Sequence, residues 1–115
     1  MPLKYKIGTS YVIRKGVFII PQANLSLQII PIAPEDQVYG IVDKVIALIK
    51  DSGLNYIVGP LETSIEGDLT AMLDLVKKSQ EVCIDANATR VVSIIKIDYK
   101  PDGVSMNEKI SKYTS

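Results

Sequence analysis

The sequence has no histidine and only one cysteine, Cys83, among its 115 residues. These absences exclude disulfide bonds within the chain, zinc clusters, Ser-His triads and Cys-His pairs. Cys83 falls on an apolar helical stripe, where a thiol usually packs as a small hydrophobic group. We therefore expect no metal site and no cofactor.

Charge of one sign and long apolar runs are also lacking. The 13 basic and 13 acidic side chains cancel, so no summed field would steer the protein to nucleic acid or to an anionic membrane. The apolar run at residues 17–20 is shorter than the roughly 7 residues of a signal-peptide core, and no run approaches the roughly 18 residues of a membrane span. We expect a cytoplasmic protein without nucleic-acid or membrane partners.

The length and the 47% hydrophobic content predict one domain. Regular hydrophobic periodicity begins near Asn24, and we place the domain at residues 23–115. Residues 1–22 are predicted to form an N-terminal extension outside the main fold. Strand-like composition at 11–13 and 17–20 leaves open an alternative, in which an extra hairpin covers a sheet edge.

The domain shows strand and helix signals in the order strand, helix, strand, strand, helix, strand. The predicted strands begin at Asn24, which starts an alternation that Pro31 breaks, and span 54–58, 61–66 and 90–99. Asp36 and Asp68 are predicted to cap the two helices, and Gly53 to end the first. A short terminal helix is expected at about 105–112.

This order is typical of a ferredoxin-like α+β sandwich with βαββαβ connectivity. The predicted sheet is four-stranded and antiparallel in the order 4-1-3-2, with two helices on one face. We expect the other face to be bare of helices. Apolar positions predicted to face the core are Val38, Ile41, Val42, Val45, Leu48 and Ile49 on the first helix, Leu69, Met72, Leu73, Val76 and Cys83 on the second, and Val91, Ile95 and Ile97 on the last strand.

The segment GPLETSIEGDL, residues 59–69, concentrates polar side chains where a strand runs into a helix. With a tight hairpin loop at Gly59-Pro60, Leu61, Thr63 and Ile65 face the helices, while Glu62, Ser64 and Glu66 face the bare side. A one-residue bulge would exchange Thr63 with Ser64. The neighbouring strand adds Ser26 and Gln28 to the bare side.

Hydroxyls, an amide and carboxylates on central strands suit hydrogen bonds to a small polar ligand, although solvated sheet faces also carry polar residues. The candidate ligand-binding residues are Ser26, Gln28, Thr63, Ser64 and Glu66. We expect no catalytic residues, because no nucleophile or metal set accompanies Glu66. Exposed Ile57, Val92 and Ile94 on the same face predict that the protein is not a monomer.

The stretches NLSLQIIPI, SGLNYIVGP, LETSIEGD and RVVSIIKID together resemble the thiamine-binding protein family, small ferredoxin-like domains related to the YkoF type. The resemblance covers roughly residues 23–112 and is most specific at 56–68, where Thr63, Glu66 and Gly67 form T-x-x-E-G, and at Lys96-Ile97-Asp98. It implies a non-enzymatic binder of thiamine or its hydroxymethylpyrimidine half. It also implies a homotetramer, built as a dimer of dimers with sheets face to face and ligand sites near subunit interfaces. The alternative is a homo-oligomeric interaction module without a ligand.

Overall fold

A computed structural model describes residues 21–114 and, in addition, the backbone of residues 12–14 and 17–19. The two short strands β1 (Val12–Arg14) and β2 (Val17–Ile19) pair antiparallel with each other. They form a two-stranded sheet separate from the main one. Residues 1–11, 15, 16 and 20 of the predicted N-terminal extension lie outside the described residues.

Residues 23–99 form a four-stranded antiparallel sheet with two long helices on one face, which confirms the predicted ferredoxin-like α+β fold. The elements are β3 (Ala23–Ile32), α1 (Glu35–Asp51), β4 (Asn55–Val58), β5 (Thr63–Gly67), α2 (Leu69–Asp85) and β6 (Arg90–Tyr99). The strand order β4-β5-β3-β6 is the predicted 4-1-3-2 order read from the opposite edge. The sheet places β3 and β5 in its centre.

Strand β3 continues through Pro31 instead of stopping there. β5 pairs only with Ala23 to Leu27 of β3, whereas β6 pairs with all of β3 as far as Ile32. Beyond Leu27, β3 is therefore an edge strand on its β5 side, where a missing N–H group removes no ladder hydrogen bond. The proline is compatible with the strand for this reason.

The helix ends follow the sequence signals in part. Asp68 caps α2 as predicted, because its Oδ2 accepts a hydrogen bond from the backbone N–H of Ala71 at 3.0 Å. The predicted cap at Asp36 is wrong: Pro34 precedes the first turn of α1, and Asp36 lies inside that turn. A carboxylate in the first turn is still stabilised by the positive end of the helix dipole. Gly53 has φ 77°, the left-handed conformation expected after a helix.

The core lies between the sheet and the two long helices and contains mainly aliphatic side chains. Its buried members are Ala23, Leu25, Leu27, Ile41, Val45, Ile49, Ile65, Met72, Leu75, Val76, Cys83 and Ala88. The prediction for α2 is wrong at Leu73, which is 46% exposed, and the buried position is taken by Leu75. Ile95 and Ile97 are 37% and 45% exposed, since β6 is an edge strand that the helices cover incompletely.

The connection between β4 and β5 is longer than predicted. β5 begins at Thr63, and residues 59–62 form a loop closed by a hydrogen bond from the N–H of Gly59 to the carbonyl oxygen of Glu62 at 2.9 Å. Leu61 lies in this loop and is 79% exposed, so its predicted place on the core face is wrong. The pairing of β5 with β3 is continuous through Thr63 and Ser64, and the predicted orientation of these residues is confirmed.

A third helix, α3 (Met106–Ile110), is followed by a single turn of 3-10 helix at Ser111–Tyr113. This C-terminal segment lies against the sheet face opposite α1 and α2. The expectation that this face is bare is therefore wrong at one end, and we call it the open face with that qualification. None of the helices in the described part of the chain is long and apolar enough to cross a membrane.

Candidate functional site

The strand register brings polar residues of the three neighbouring strands β5, β3 and β6 together in two rows on the open face. Asn24 of β3 pairs with Glu66 of β5 and with Asp98 of β6. We call these three residues the acceptor row, because each side chain carries at least one acceptor oxygen. The next outward-facing residue of β3 belongs to a second row.

That second row lies one alternation away along the same strands. Ser26 pairs with Ser64 of β5 and with Lys96 of β6. We call these three residues the donor row, because hydroxyl and ammonium groups can donate hydrogen bonds. Residues i and i+2 on a strand are about 7 Å apart. The two rows are thus separated by about that distance on one face of the sheet.

The C-terminal segment covers the acceptor row, and we call its residues 104–110 the roof. The side-chain Nδ2 of Asn24 donates to the carbonyl oxygen of Val104 at 3.3 Å, and the N–H of Met106 donates to Oε1 of Glu66 at 3.2 Å. Ser105 caps α3, because its Oγ accepts from the N–H of Glu108 at 3.0 Å. These contacts fix the start of α3 over the sheet.

Glu66 is fully buried, with 0% of its surface exposed. Burial raises the pKa of its carboxyl group above the ordinary value, because the charged form is poorly solvated there. Hydrogen bonds from the Met106 N–H and from the Asn55 side chain lower the pKa, as does the charge of Lys109. These opposing effects are smaller than the effect of burial. Through the hydrogen bond from the Met106 N–H, Glu66 also holds the roof against the sheet.

A cavity of about 340 Å³ lies between the sheet and the roof. We call it the C-terminal pocket. Its lining consists of Asn24, Leu25 and Ser26 of β3, Ile57 of β4, Glu62 of the following loop, Ser64 of β5, Lys96, Ile97 and Asp98 of β6, and Met106, Lys109 and Ile110 of α3. The volume lies at the lower end of the range of about 300–1,000 Å³ that is usual for small-molecule sites, and a mainly apolar lining with a few polar groups is also usual.

Ion pairs occupy two positions on the rim of the C-terminal pocket. Lys109 Nζ lies 2.6 Å from Asp98 Oδ2, and Lys96 Nζ lies 3.4 Å from Glu62 Oε1. The side chains of Lys109 and Asp98 are 44% and 54% exposed. Exposed pairs of this kind contribute little to stability and can exchange partners with a bound ion. The rim can therefore respond to the charge of a ligand.

The structure brings together some of the predicted site residues and separates others. Ser26 and Ser64 both line the C-terminal pocket, and Glu66 lies beside it under the roof. Gln28 is on the open face by its pairing with Ile94 but outside this pocket. Thr63 is buried on the helix-covered face, opposite Leu27.

Sequence reasoning assigned no site role to Asn24 or to the three residues that α3 contributes. Asn24 stands two positions before Ser26, so the strand alternation that selected Ser26 selects Asn24 as well. α3 gave a weaker signal, since a five-residue helix predicts nothing about where it will dock. Lys96 and Asp98 alternate with the predicted core positions Ile95 and Ile97, and they lie on the open face as that alternation requires.

Among the described residues, no group of three or more His, Cys, Asp and Glu side chains is placed to hold a metal ion. Cys83 is buried in the core, and burial raises the pKa of its thiol. A thiol in such surroundings is a poor nucleophile. The C-terminal pocket itself offers hydrogen-bonding groups, charged side chains and apolar surface.

Comparison with protein families identifies the chain. Residues 25–114 match the model of a family described as "Thiamine-binding protein". The chain belongs to the thiamine-binding protein family. Within the chain's relatives, it is similar to a UPF0045 protein of Clostridium perfringens, with 52% identity over 90 residues, which are 78% of this chain and 95% of that protein.

Solved structures of similar proteins share the fold. One is a domain of unknown function from Bacillus cereus, with a TM-score of 0.78 and 43% identity, covering 83% of this chain and 92% of that one. Another is a Thermotoga maritima protein provisionally named for thiamine biosynthesis or salvage, with a TM-score of 0.75 and 32% identity, covering 81% of this chain and 99% of that one. The family assignment from the sequence is thereby confirmed.

Proposed function

We propose that this protein is a non-enzymatic binding protein for thiamine or its hydroxymethylpyrimidine half, and that the ligand occupies the C-terminal pocket. The observation that carries the proposal is this cavity of about 340 Å³, in which Asn24, Ser26 and Ser64 present polar groups within a largely apolar lining. The family description and the provisional name of the Thermotoga maritima protein support the choice of ligand.

The chemistry of thiamine suits the charges around the pocket. Its thiazolium ring carries a permanent positive charge, which would compete with Lys109 and Lys96 for the carboxylates of Asp98 and Glu62 on the rim. Its aminopyrimidine ring offers hydrogen-bond donors and acceptors for the two polar rows, and both rings are flat enough to pack on Ile57, which lines the pocket. A pocket of this kind needs no catalytic group to hold its ligand.

Not all residues expected to bind the ligand have the same role in this proposal. Ser26 and Ser64 contact the ligand directly, whereas Glu66 acts by holding the roof through the N–H of Met106. Gln28 and Thr63 lie outside the C-terminal pocket, so a ligand there would not touch them within one subunit. Gln28 remains available to a ligand held between two copies of the open face.

Titration calorimetry tests the proposal directly. We expect heat of binding when thiamine or hydroxymethylpyrimidine is added to the protein at about 100 μM. Failure to detect binding of either compound tighter than about 100 μM, which is about −5.5 kcal/mol, would overturn the proposed function. The measurement needs only the purified chain and the two compounds.

A pair of charge-neutralising variants locates the binding site. Asp98→Asn should weaken thiamine binding severalfold but leave the uncharged hydroxymethylpyrimidine nearly unaffected, because only thiamine carries the thiazolium cation. The matched control is Asp74→Asn on α2, since Asp74 also pairs with a lysine, Lys78, at 2.9 Å but lies far from the pocket. Equal weakening of thiamine by both variants would remove Asp98 from the site.

We also propose that the protein assembles as a homotetramer, a dimer of dimers, with the ligand site near a subunit interface. The part of the open face beyond the roof exposes Ile57, Val92 and Ile94 at 43%, 38% and 49%. Ile57 also lines the C-terminal pocket, so a copy packed on this surface would lie next to the ligand. A specific interface needs about 1,600 Å² of buried area in total.

Light scattering at micromolar concentration tests the assembly against the chain mass of 12.6 kDa. We expect about four times this mass. A mass near one chain would remove both the tetramer and the interface site, and a dimer would keep only the face-to-face packing.

The alternative function is a homo-oligomeric interaction module without a ligand. The same exposed side chains on the open face favour it, because contiguous apolar surface is usually covered by a partner. Calorimetry separates the alternatives: a tetramer that gives no heat with thiamine or hydroxymethylpyrimidine would support the interaction module.

A further inference from the structure

Two residues that line the C-terminal pocket each have a buried polar atom without a hydrogen-bond partner among the described residues. These atoms are Oδ1 of Asn24 and Oγ of Ser26. Asn24 is only 8% exposed, although it lines the pocket. Buried polar atoms are satisfied in most folded proteins, so an unsatisfied pair on one side of a cavity calls for an explanation.

The orientation of the Asn24 amide follows from its contact with the roof. Its neighbour there is the carbonyl oxygen of Val104, 3.3 Å away, which can only accept a hydrogen bond. The NH₂ group must therefore point to Val104. The carbonyl oxygen Oδ1 is left as a pure acceptor on the other side of the amide, without a partner among the described residues.

The neighbours of Asn24 make this position selective for a donor. Glu66 and Asp98 flank it on the adjacent strands, and both carry carboxyl groups. A ligand acceptor placed against this row would meet the oxygen lone pairs of Asn24 and the negative charge of Asp98, whereas an N–H group would be attracted by both. The adjacent donor row, with Ser26 between Ser64 and Lys96, has the opposite preference.

We propose that Asn24 is a specificity-determining residue whose Oδ1 accepts a hydrogen bond from an exocyclic amino group on a heteroaromatic ring. Ser26 Oγ donates to an acceptor of the same ligand, such as a ring nitrogen or a hydroxyl group. The ligand class is thus an aminopyrimidine or a similar ring with a donor and an acceptor on neighbouring positions. This inference rests on the proposed function and specifies which part of the ligand the sheet recognises.

The test compares two nearly isosteric pyrimidines: 4-amino-5-hydroxymethyl-2-methylpyrimidine and its 4-oxo counterpart. The 4-oxo compound places an acceptor where the amino compound places a donor. We expect the wild-type protein to bind the amino compound at least about tenfold more tightly, because the oxo group would leave the buried Oδ1 unsatisfied. Calorimetry or ligand-observed NMR measures both affinities.

Variants of Asn24 separate recognition from support of the roof. Asn24→Ala should lower the ratio of the two affinities severalfold, whereas Asn24→Asp should keep the wild-type preference for the amino compound because it retains acceptor oxygens. Both variants lose the hydrogen bond to Val104, so damage to the roof would lower both affinities together and leave their ratio unchanged. The ratio therefore reports on recognition alone.

Ser26→Ala provides a second test that removes a single hydroxyl group. We expect it to weaken the amino compound severalfold. The matched control is Ser93→Ala, a loss of the same group on the opposite face of the sheet, where Ser93 donates to Gln80. The control should leave the affinity unchanged.

The outcomes distinguish this inference from the proposed function. Equal affinity of the wild-type protein for both pyrimidines, or a preference as large in Asn24→Ala as in the wild type, would overturn the role of Asn24 while leaving the proposed function intact. The absence of binding by thiamine and by both pyrimidines would overturn the two together.

Discussion

The two faces of the sheet share the same strands but are organised by different forces. Along β5, Thr63 and Ile65 face α1 and α2, while Ser64 and Glu66 face the opposite way. Ile65 and Glu66 are adjacent in the chain and both are 0% exposed. One is buried by apolar packing, and the other is buried under a roof to which it is hydrogen-bonded.

This comparison shows how a site can form on a face that lacks a hydrophobic core. The helix-covered face is stabilised by burial of aliphatic surface, which needs no directional partner. On the open face, burial depends on individual polar contacts between the sheet and the C-terminal segment. The four predictions that follow compare changes on the two faces.

The largest effect is expected from truncation on the helix-covered face. Ile65→Ala should lower the free energy of unfolding by about 2–5 kcal/mol, because it leaves a cavity in a closely packed core. Ser64→Ala, one residue away on the open face, should change it by about 0.5 kcal/mol or less. Urea denaturation measures both, and similar losses for the two variants would contradict the proposed division between the faces.

Helix caps offer the next comparison, with one cap on each face. Ser105→Ala and Asp68→Ala each remove a side chain that accepts a hydrogen bond from an N–H in the first helical turn, at 3.0 Å in both cases. Each should cost about 1 kcal/mol. Only Ser105→Ala should also increase hydrogen exchange at the roof and weaken ligand binding, since Asp68 caps a helix on the other face. Unchanged exchange at Met106 in Ser105→Ala would argue against the cap as a support of the roof.

The buried carboxyl group of Glu66 should make the open face sensitive to pH. Its pKa in the folded protein is raised above the ordinary value of 4.5, so the folded state keeps this proton to a higher pH than the unfolded chain does. Its contribution to stability is therefore fully present below the unfolded pKa and decreases as the pH rises through the folded pKa. Glu66→Gln cannot titrate. The unfolding free energy of the wild type minus that of Glu66→Gln should fall as the pH rises from 4 towards neutrality.

Lys109 is the charged group on another element that acts on this carboxyl group, and it is present in both proteins of that comparison. Urea denaturation at a series of pH values gives the required difference. Glu81→Gln on the exposed surface of α2 is the matched control for the loss of one carboxylate. A difference that rises with pH would show that Glu66 is stabilised as the anion instead.

The smallest effect is expected from the exposed ion pairs. Lys109→Ala on the open face and Lys78→Ala on α2 should each change stability by about 0.2–1 kcal/mol, since both pairs are largely exposed. Lys109→Ala should in addition strengthen thiamine binding by about twofold to fivefold, because it leaves Asp98 without its counter-ion. Calorimetry at low salt measures this change, and weaker thiamine binding in Lys109→Ala would exclude competition between the lysine and the ligand.

Local signals in the sequence predicted much of this architecture. The alternation in β3 and β6 assigned each residue to a face, and the structure keeps those assignments. Asp68 was recognisable as a cap because it directly precedes a helical pattern. Asp36 was misleading since Pro34, two residues earlier, provides an equally compatible start for a helix.

Local signals failed where burial depended on neighbours. Ile95 and Ile97 have the composition of core residues, yet they remain substantially exposed because β6 lies at the edge of the sheet. Leu73 and Leu75 both fit an amphipathic helix, and only the crossing of α2 over the sheet selects the buried one. Gln28 and Ser26 likewise appeared equivalent as site residues, because both face the open side of the sheet and only the docking of the C-terminal segment places a pocket beside Ser26.

The sequence by itself determined the order of the elements, the face on which each strand residue lies and the membership of the family, because strand and helix periods are properties of short segments. Only the tertiary structure decided that Glu66 and Asn24 are buried and that a pocket exists beside them. The hydrogen bonds responsible join Glu66 to a residue 40 positions away and Asn24 to one 80 positions away. Such contacts depend on where the C-terminal segment docks, and docking is decided by the assembled surface, which no local pattern encodes.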